Sequence, residues 1–199
     1  MYSFFATISR MKYIERWALM RSSRPENLSE HSLEVAAIAH VLCTIGNLRY
    51  GRHLDADRAA MLGLYHDATE IITGDMPTPV KYHSRLIREA YQDVEEAAAV
   101  RLLSLLPDDL RETYREILLP GKSPNAQTEE YLRRLVKAAD KLSALIKCIE
   151  EENAGNREFR TAADTIQDSV AEMAARLPEV EDFCRDFLPA YGRTLEELM

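Results

Sequence analysis

Apolar residues recur along this chain three and four positions apart, and no segment alternates apolar with polar. That period belongs to helices, and no Asn-Gly or Asp-Gly pair marks a hairpin. The expected fold is therefore all-α. No repeat or low-complexity tract divides the chain, and 199 residues suffice for one substantial core, so residues 1–199 are expected to form a single domain.

Local signals place the helices. The segment from Phe4 to Met20 carries Phe5, Ile8, Met11, Ile14 and Leu19 at helical spacing. A connector with Pro25 runs from Arg21 to Leu28. Ser29 is the expected cap of a long helix to about Arg49, with Leu33, Ala36, Ala37, Val41 and Leu42 on one face. Asp55 or Asp57 caps the next helix, which extends to Glu70 or Ile72. Its last two turns carry His66 and Asp67. A loop from Thr73 to Pro79 follows, stiffened by two prolines and excluded from helix by them and Gly74. Further helices are expected at Tyr82 to Leu106, Asp108 to Leu118, Thr128 to Asn153 with Gly155 as its stop, Phe159 to Leu177, and Glu179 to Tyr191. Pro120 to Gln127 reads as loop, and Thr194 opens a last turn with a capping box.

Composition excludes several classes. Apolar residues make up 46% and charged residues 29%, with no run long enough for a membrane span. The first residues lack the basic-then-apolar order of a signal peptide. A net charge of −8 argues against a nucleic-acid partner. Cys43, Cys148 and Cys184 are odd in number and widely spaced, which suits small buried thiols and a cytoplasmic location. The basic residues Arg10, Lys12, Arg16, Arg21 and Arg24 form either a solvated face or a phosphate-facing patch.

Against this framework four residues stand out: His31, the pair His66-Asp67, and Asp140. They belong to three expected helices. Asp140 lies mid-helix in an apolar pattern, where a carboxylate is costly to bury without a cation or hydrogen-bond partner. Two imidazoles and two carboxylates suit a borderline divalent metal and leave open positions on it for water and a phosphate oxygen. Taken singly, each reads more readily as a structural residue, and a His-Asp dipeptide alone carries little weight.

The wider pattern is more specific. Phe4-Phe5-Ala6, Arg16-Trp17, Leu19-Met20-Arg21, Glu30-His31-Ser32-Leu33, Tyr65-His66-Asp67-Ala68, Thr73 to Lys81, Lys137-Ala138-Ala139-Asp140 and Ala154 to Phe159 closely resemble the bacterial HD-domain 5′-deoxynucleotidases. The resemblance implies an HD-domain helical bundle with His31, His66, Asp67 and Asp140 as ligands of one divalent metal ion. Cobalt, manganese or copper is the implied metal, and a homodimer the implied assembly. The implied reaction is hydrolysis of 2′-deoxyribonucleoside 5′-monophosphates to deoxynucleoside and phosphate.

Within that resemblance, Glu70 is the foremost general acid or base, since it shares a helix face with His66 and Asp67. Asp75 is expected either to share this work or to bind the sugar. Arg16 offers the phosphate a planar donor fork, with Trp17, the only tryptophan, as a wall beside it. Asp75, Met76, Pro77 and Thr78 form the loop placed against the nucleotide, and His31, Asp67 and Asp140 also count among the substrate contacts. Lys81 reads as a solvated side chain or a secondary phosphate contact. Two other readings stay open: a dNTP triphosphohydrolase or guanosine tetraphosphate hydrolase, which calls for more basic residues near the motifs, and a non-catalytic nucleotide-binding regulator, which the intact motif residues disfavour.

Overall fold

The computed structural model describes residues 1–81, 83–119 and 126–199, leaving aside the side chains of 78, 79 and 126. Its helices are α1 Phe4–Ile8, α2 Leu28–Tyr50, α3 Ala56–Tyr65, α4 Glu70–Thr73, α5 Thr78–Lys81, α6 Arg85–Leu103, α7 Asp108–Leu118, α8 Ala126–Asn153, α9 Arg160–Ala174, α10 Pro178–Asp186 and α11 Leu195–Leu198. Single 3-10 turns occupy Ser9–Tyr13 and Leu188–Ala190. Among the described residues the only β pairing is an isolated antiparallel bridge between Glu15 and Asn27. The fold is an all-α bundle, as the sequence pattern requires.

The caps explain where the main helices begin and end. Asn27 accepts from the backbone N–H of Ser29 and Glu30, and Glu30 reaches back to the Asn27 N–H, so α2 starts before Ser29. Asp55 caps α3 by accepting from the Arg58 N–H. Gly155, in the left-handed region at φ 79°, ends the turn after α8. Thr194 and Glu197 make the expected capping box of α11.

The core forms around α2, α3 and α8. Val35, Ile38, Leu42, Leu62, Leu135 and Leu142 are its centre, joined by Val180 and Phe183 of α10. A smaller cluster of Phe4, Tyr65, Leu102, Leu103 and Leu106 lies under α1 and α6. Helix α2 is buried on more than one side, which is why a single stripe misreads it. Leu33, expected in the core, is 66% exposed, and Ala37 is also exposed.

Other boundaries move for physical reasons. The N-terminal helix does not reach Met20: it tightens into a 3-10 turn, then extends into the Glu15–Asn27 bridge. Phe4, not Phe5, enters the core. Helix α3 stops at Tyr65, and His66 to Thr69 form i to i+3 turns, with Ala68 N bonded to Tyr65 O and Glu70 N to Asp67 O. Pro79 sits inside the first turn of α5, where its missing N–H leaves no intrahelical bond unmade. The expected loop at Pro120 to Gln127 lies largely outside the described residues, and α8 is already helical at Ala126.

Gly63 sets how close α2 and α3 approach. A Cβ there would stand 3.0 Å from Ala36 Cα and 3.1 Å from Ala36 N. Both are backbone atoms, so relief requires the helices to part. Gly63→Ala is expected to destabilise the fold by about 1–3 kcal/mol, measured by denaturant titration. An unchanged midpoint would mean that the two helices are not held at contact.

Candidate metal centre and active site

His31 lies in the first turn of α2 and is wholly buried. Its Nδ1 is 3.0 Å from Ser143 Oγ, and that hydroxyl donates to Glu34 Oε2 at 2.6 Å. The Ser143 oxygen is therefore free to accept from an Nδ1–H. Arg16 Nη1 stands 2.8 Å from the same nitrogen. A guanidinium only donates, so the two contacts demand opposite tautomers. The Ser143 bond is the one that leaves Nε2 with its lone pair. Burial first, and then the Arg16 charge, hold the His31 pKa below its ordinary value, which keeps the ring neutral.

His66 follows α3 in the turn. Its Nδ1 donates to the Gly63 carbonyl at 2.7 Å, again leaving Nε2 as the acceptor. His66 Nε2 is 3.0 Å from Asp67 Oδ2, and His31 Nε2 is 3.6 Å from the same oxygen. Ligand atoms of His31, His66 and Asp67 all lie within 4.8 Å of one another. Both Nε2 atoms are buried without a hydrogen-bond partner among the described residues. Two orphaned imidazole nitrogens and a carboxylate oxygen aimed at one point fit a divalent cation, and each histidine is oriented from behind as metal ligands are. Burial lowers the His66 pKa, but Asp67 and Asp140 outweigh it and raise the ring to about 9, so an ion bound at Nε2 takes the place of a proton there.

Asp140, on α8, places Oδ1 3.3 Å from His31 Nε2, and Oδ2 3.5 Å from Lys141 Nζ. Burial opposes its charge, yet the neighbouring His31 imidazole and the Lys141 ammonium hold its pKa well below the usual carboxylate range. A cavity of about 240 Å³ reaches His66 and Asp140, walled by Leu62, Tyr65 and Val136. The cluster is thus accessible from outside.

The other expected residues gather around it. Arg16 leaves the bridge with Nη1 2.8 Å from Glu26 Oε2 and Nη2 4.0 Å from Asp140. Trp17 donates its ring N–H to the same Glu26 oxygen at 3.0 Å and packs edge-on against Phe159. Its backbone is at φ 60°, a strained setting for a bulky residue. Asp75 accepts from the Trp17 N–H at 3.3 Å, tying the 74–77 loop to the Arg16-Trp17 segment. Burial, followed in effect by Asp67 among the raising charges, pushes the Asp75 pKa up. Glu70 is buried, and its Oε2 has no partner among the described residues. Burial and then the charges of Asp67 and Asp75 raise its pKa to about 9.

Met76 and Pro77 are half-buried and lead from Asp75 into α5, whereas the Thr78 side chain lies outside the described residues. Lys81 pairs with Glu95 at 2.8 Å and stacks over Tyr91, so it is not a purely solvated lysine. Of the N-terminal basic residues, Arg16 turns inward, and Arg21 and Arg24 pair on the surface with Glu158 and Glu30.

Ser143, Glu34 and Glu26 were not singled out from sequence. A signal existed for two of them. Ser143 follows Asp140 by three residues and Glu34 follows His31 by three, so each shares a helix face with a ligand.

The bundle matches a solved HD-domain phosphohydrolase of Listeria innocua with a TM-score of 0.78, over 94% of this chain and 87% of that one, at 24% identity. The fold is the HD-domain fold. Closer in sequence are 5′-deoxynucleotidases of Vibrio vulnificus and Salmonella paratyphi B, each 44% identical over 98% of this chain and covering 97% and 94% of their own lengths. Residues 3–191 match the family described as 5′-deoxynucleotidase YfbR-like, and the chain belongs to that family.

Ser143→Ala removes the acceptor that selects the His31 tautomer. Metal affinity is expected to fall ~10–100-fold while the fold persists, read by calorimetric metal titration. Wild-type affinity would sink the assigned relay. His66→Ala and Asp140→Ala are expected to lose bound metal on dialysis, and full occupancy in both would refute them as ligands.

Proposed function

We propose that this protein is a metal-dependent phosphomonoesterase that hydrolyses 2′-deoxyribonucleoside 5′-monophosphates to deoxynucleoside and phosphate. The observation that carries this reading is the pair of buried, unpartnered Nε2 atoms of His31 and His66 converging on Asp67, with Glu70 buried nearby and its Oε2 unpartnered. The same chain is 44% identical over nearly its whole length to relatives named as 5′-deoxynucleotidases.

His31, His66, Asp67 and Asp140 would hold the ion. When bound, it supplies Lewis-acid polarisation of the phosphoryl group and a nucleophile at neutral pH. The nitrogen and oxygen donor set suits a borderline divalent metal, and the family resemblance narrows it to cobalt, manganese or copper. Arg16, already aligned by Glu26, offers the phosphate a second pair of donors. Burial and the charges of Asp67 and Asp75 favour the neutral carboxyl of Glu70, and this suits the acid role, in which the carboxyl would protonate the leaving O5′. Asp75, bonded to the Trp17 backbone, is placed to receive a sugar hydroxyl rather than to share that proton. Following the family resemblance, we assign Trp17, Met76, Pro77 and Thr78 to the wall around the deoxyribose. A rigid wall there rejects a 2′-hydroxyl by clash or by leaving it without a partner.

No helix among the described residues is long and apolar enough to cross a membrane. Cys43, Cys148 and Cys184 are free thiols, which supports a reducing, cytoplasmic setting. A homodimer is our reading of the assembly, carried by the family resemblance.

Glu70→Gln is expected to lower kcat by ~10²–10⁴-fold with metal content unchanged. Near-normal turnover would transfer the proton role to Asp75. A screen of dAMP, dCMP, dGMP and TMP against AMP and CMP, with each divalent metal, is expected to give kcat/KM values that strongly favour the deoxy forms. Equal values for AMP and dAMP would refute the sugar gate, and release of pyrophosphate or triphosphate from larger nucleotides alone would refute the monoesterase.

A further inference from the structure

The segment that carries Arg16 and Trp17 has almost no regular structure of its own. Its base is closed by the bridge, with Arg16 N bonded to Glu26 O at 2.9 Å and Leu28 N to Ile14 O at 3.0 Å. Between them the chain loops out through Met20 to Pro25 with no regular helix or ladder. The loop's backbone groups find their partners elsewhere, on the last turns of α8 and just beyond.

Four backbone groups go to one cluster. Glu151 Oε2 accepts from the Ser23 N–H at 2.8 Å, and Oε1 from the Arg24 N–H at 3.4 Å. Lys147 Nζ donates to the Arg24 carbonyl at 2.6 Å and to Glu151 Oε1. Asn156 Nδ2 donates to the Arg21 carbonyl at 2.6 Å and to Glu151 Oε2 at 2.7 Å. Glu151 is wholly buried and Lys147 nearly so. Burial opposes the Glu151 charge, but Lys147, Ser23 and Asn156 outweigh it and lower its pKa to about 2, so it remains an acceptor under working conditions.

The turn after α8 completes the cluster. Gly155 at φ 79° reverses the chain, and Asn156 N returns to Glu151 O at 2.9 Å. Phe159 then lies buried with its ring 5.3 Å from the Trp17 ring, edge to face. Lys147 Nζ is 5.8 Å from that same Phe159 ring. The Ala154 to Phe159 motif, which supplies Asn156 and Phe159, thereby packs against the Arg16-Trp17 segment.

We propose that Glu151, with Lys147, Asn156 and Phe159, forms a positioning unit that holds the Arg16-Trp17 segment in register with the metal centre. The ruler is α8 itself. It carries Asp140 and, three turns further on, Glu151. One rigid helix thereby sets both the ligand and the anchor of the residues that meet the substrate. A buried ion pair alone is weak evidence for stability, since apolar residues of similar volume often replace it without loss. The backbone bonds to residues 21–24 are what an apolar replacement cannot supply, and they assign the pair to positioning.

This inference rests on the proposal that Arg16 and Trp17 contact the substrate, and its test separates the two. Trp17 is the only tryptophan, so acrylamide quenching of its emission reads the segment alone. In the full-length, metal-loaded protein, the double variant Lys147→Met/Glu151→Met removes the anchor without leaving a buried charge unpaired. Quenching is expected to rise and kcat/KM to fall ~10²-fold, as for a small misplacement of a binding group, with helicity and metal content unchanged. Lys147→Met/Glu151→Gln restores the acceptor for the Ser23 N–H and is expected to recover much of both. Asn156→Ala, which leaves the Lys147–Glu151 ion pair in place, is expected to move both readouts in the same direction by less. Wild-type quenching and turnover in a folded Met/Met variant would overturn the proposal. Increased quenching with unaltered kcat/KM would uphold the anchor and overturn instead the substrate role of Arg16 and Trp17.

Discussion

His31 sits at the meeting point of α2, α3 and α8 with no solvent exposure, so each ring nitrogen must be accounted for inside the protein. One faces Ser143 and Arg16, and the other faces Asp67 and Asp140. An unpartnered buried polar atom costs about 1–3 kcal/mol. The bundle carries two such atoms at one point, the Nε2 of His31 and of His66. The surrounding packing keeps them there: the close approach at Gly63, the apolar core along α8, and the hydrogen bonds that turn both rings the same way. A divalent cation held between them would remove the penalty.

Glu70 and Arg16, the proposed acid and phosphate binder, take their properties from the same burial. Glu70 is close enough to Asp67 and Asp75 to feel both charges, and its environment is dry enough to keep it protonated to about pH 9. Arg16 is buried among carboxylates, so its charge is balanced before any substrate arrives. Glu26 binds the Arg16 guanidinium and the Trp17 indole with one oxygen. The strained backbone of Trp17 is held from one side by Asp75 and from the other by Phe159. Such over-determination is what a conformation costing roughly 1–3 kcal/mol requires to persist.

Helix α8 links these two halves. Its middle supplies Asp140 and Ser143, which face the metal centre. Its end supplies Lys147 and Glu151, which face the 21–24 loop. A helix rises 1.5 Å per residue, so the spacing between the proposed metal centre and the Arg16-Trp17 segment is inherited from one element rather than from a chain of loops.

The periodicity of the chain determined the all-α class, and the cap and stop residues located most helices within a few positions. Asp108–Leu118 has the expected bounds, and Gly155 and Thr194 act as expected. The chemistry-bearing residues were equally visible, because a histidine, a His-Asp pair and an aspartate in an apolar helix are costly in any core without a partner. What only the tertiary structure decided is which faces are inside and which groups meet. Helix α2 is enclosed by neighbours on more than one side, so Leu33 and Ala37 turn outward although their spacing suggested the core. The α3 helix ends at Tyr65 because its following turn packs His66 and Asp67 toward α2, an interaction that local propensity does not contain. Likewise Ser143, Glu34, Glu26 and Glu151 are ordinary polar residues in sequence. They acquire roles through contacts between positions as far apart as 109 and 128 residues, Glu34 with Ser143 and Ser23 with Glu151. Periodicity reports on neighbours one turn away, and long-range packing alone brings those pairs together.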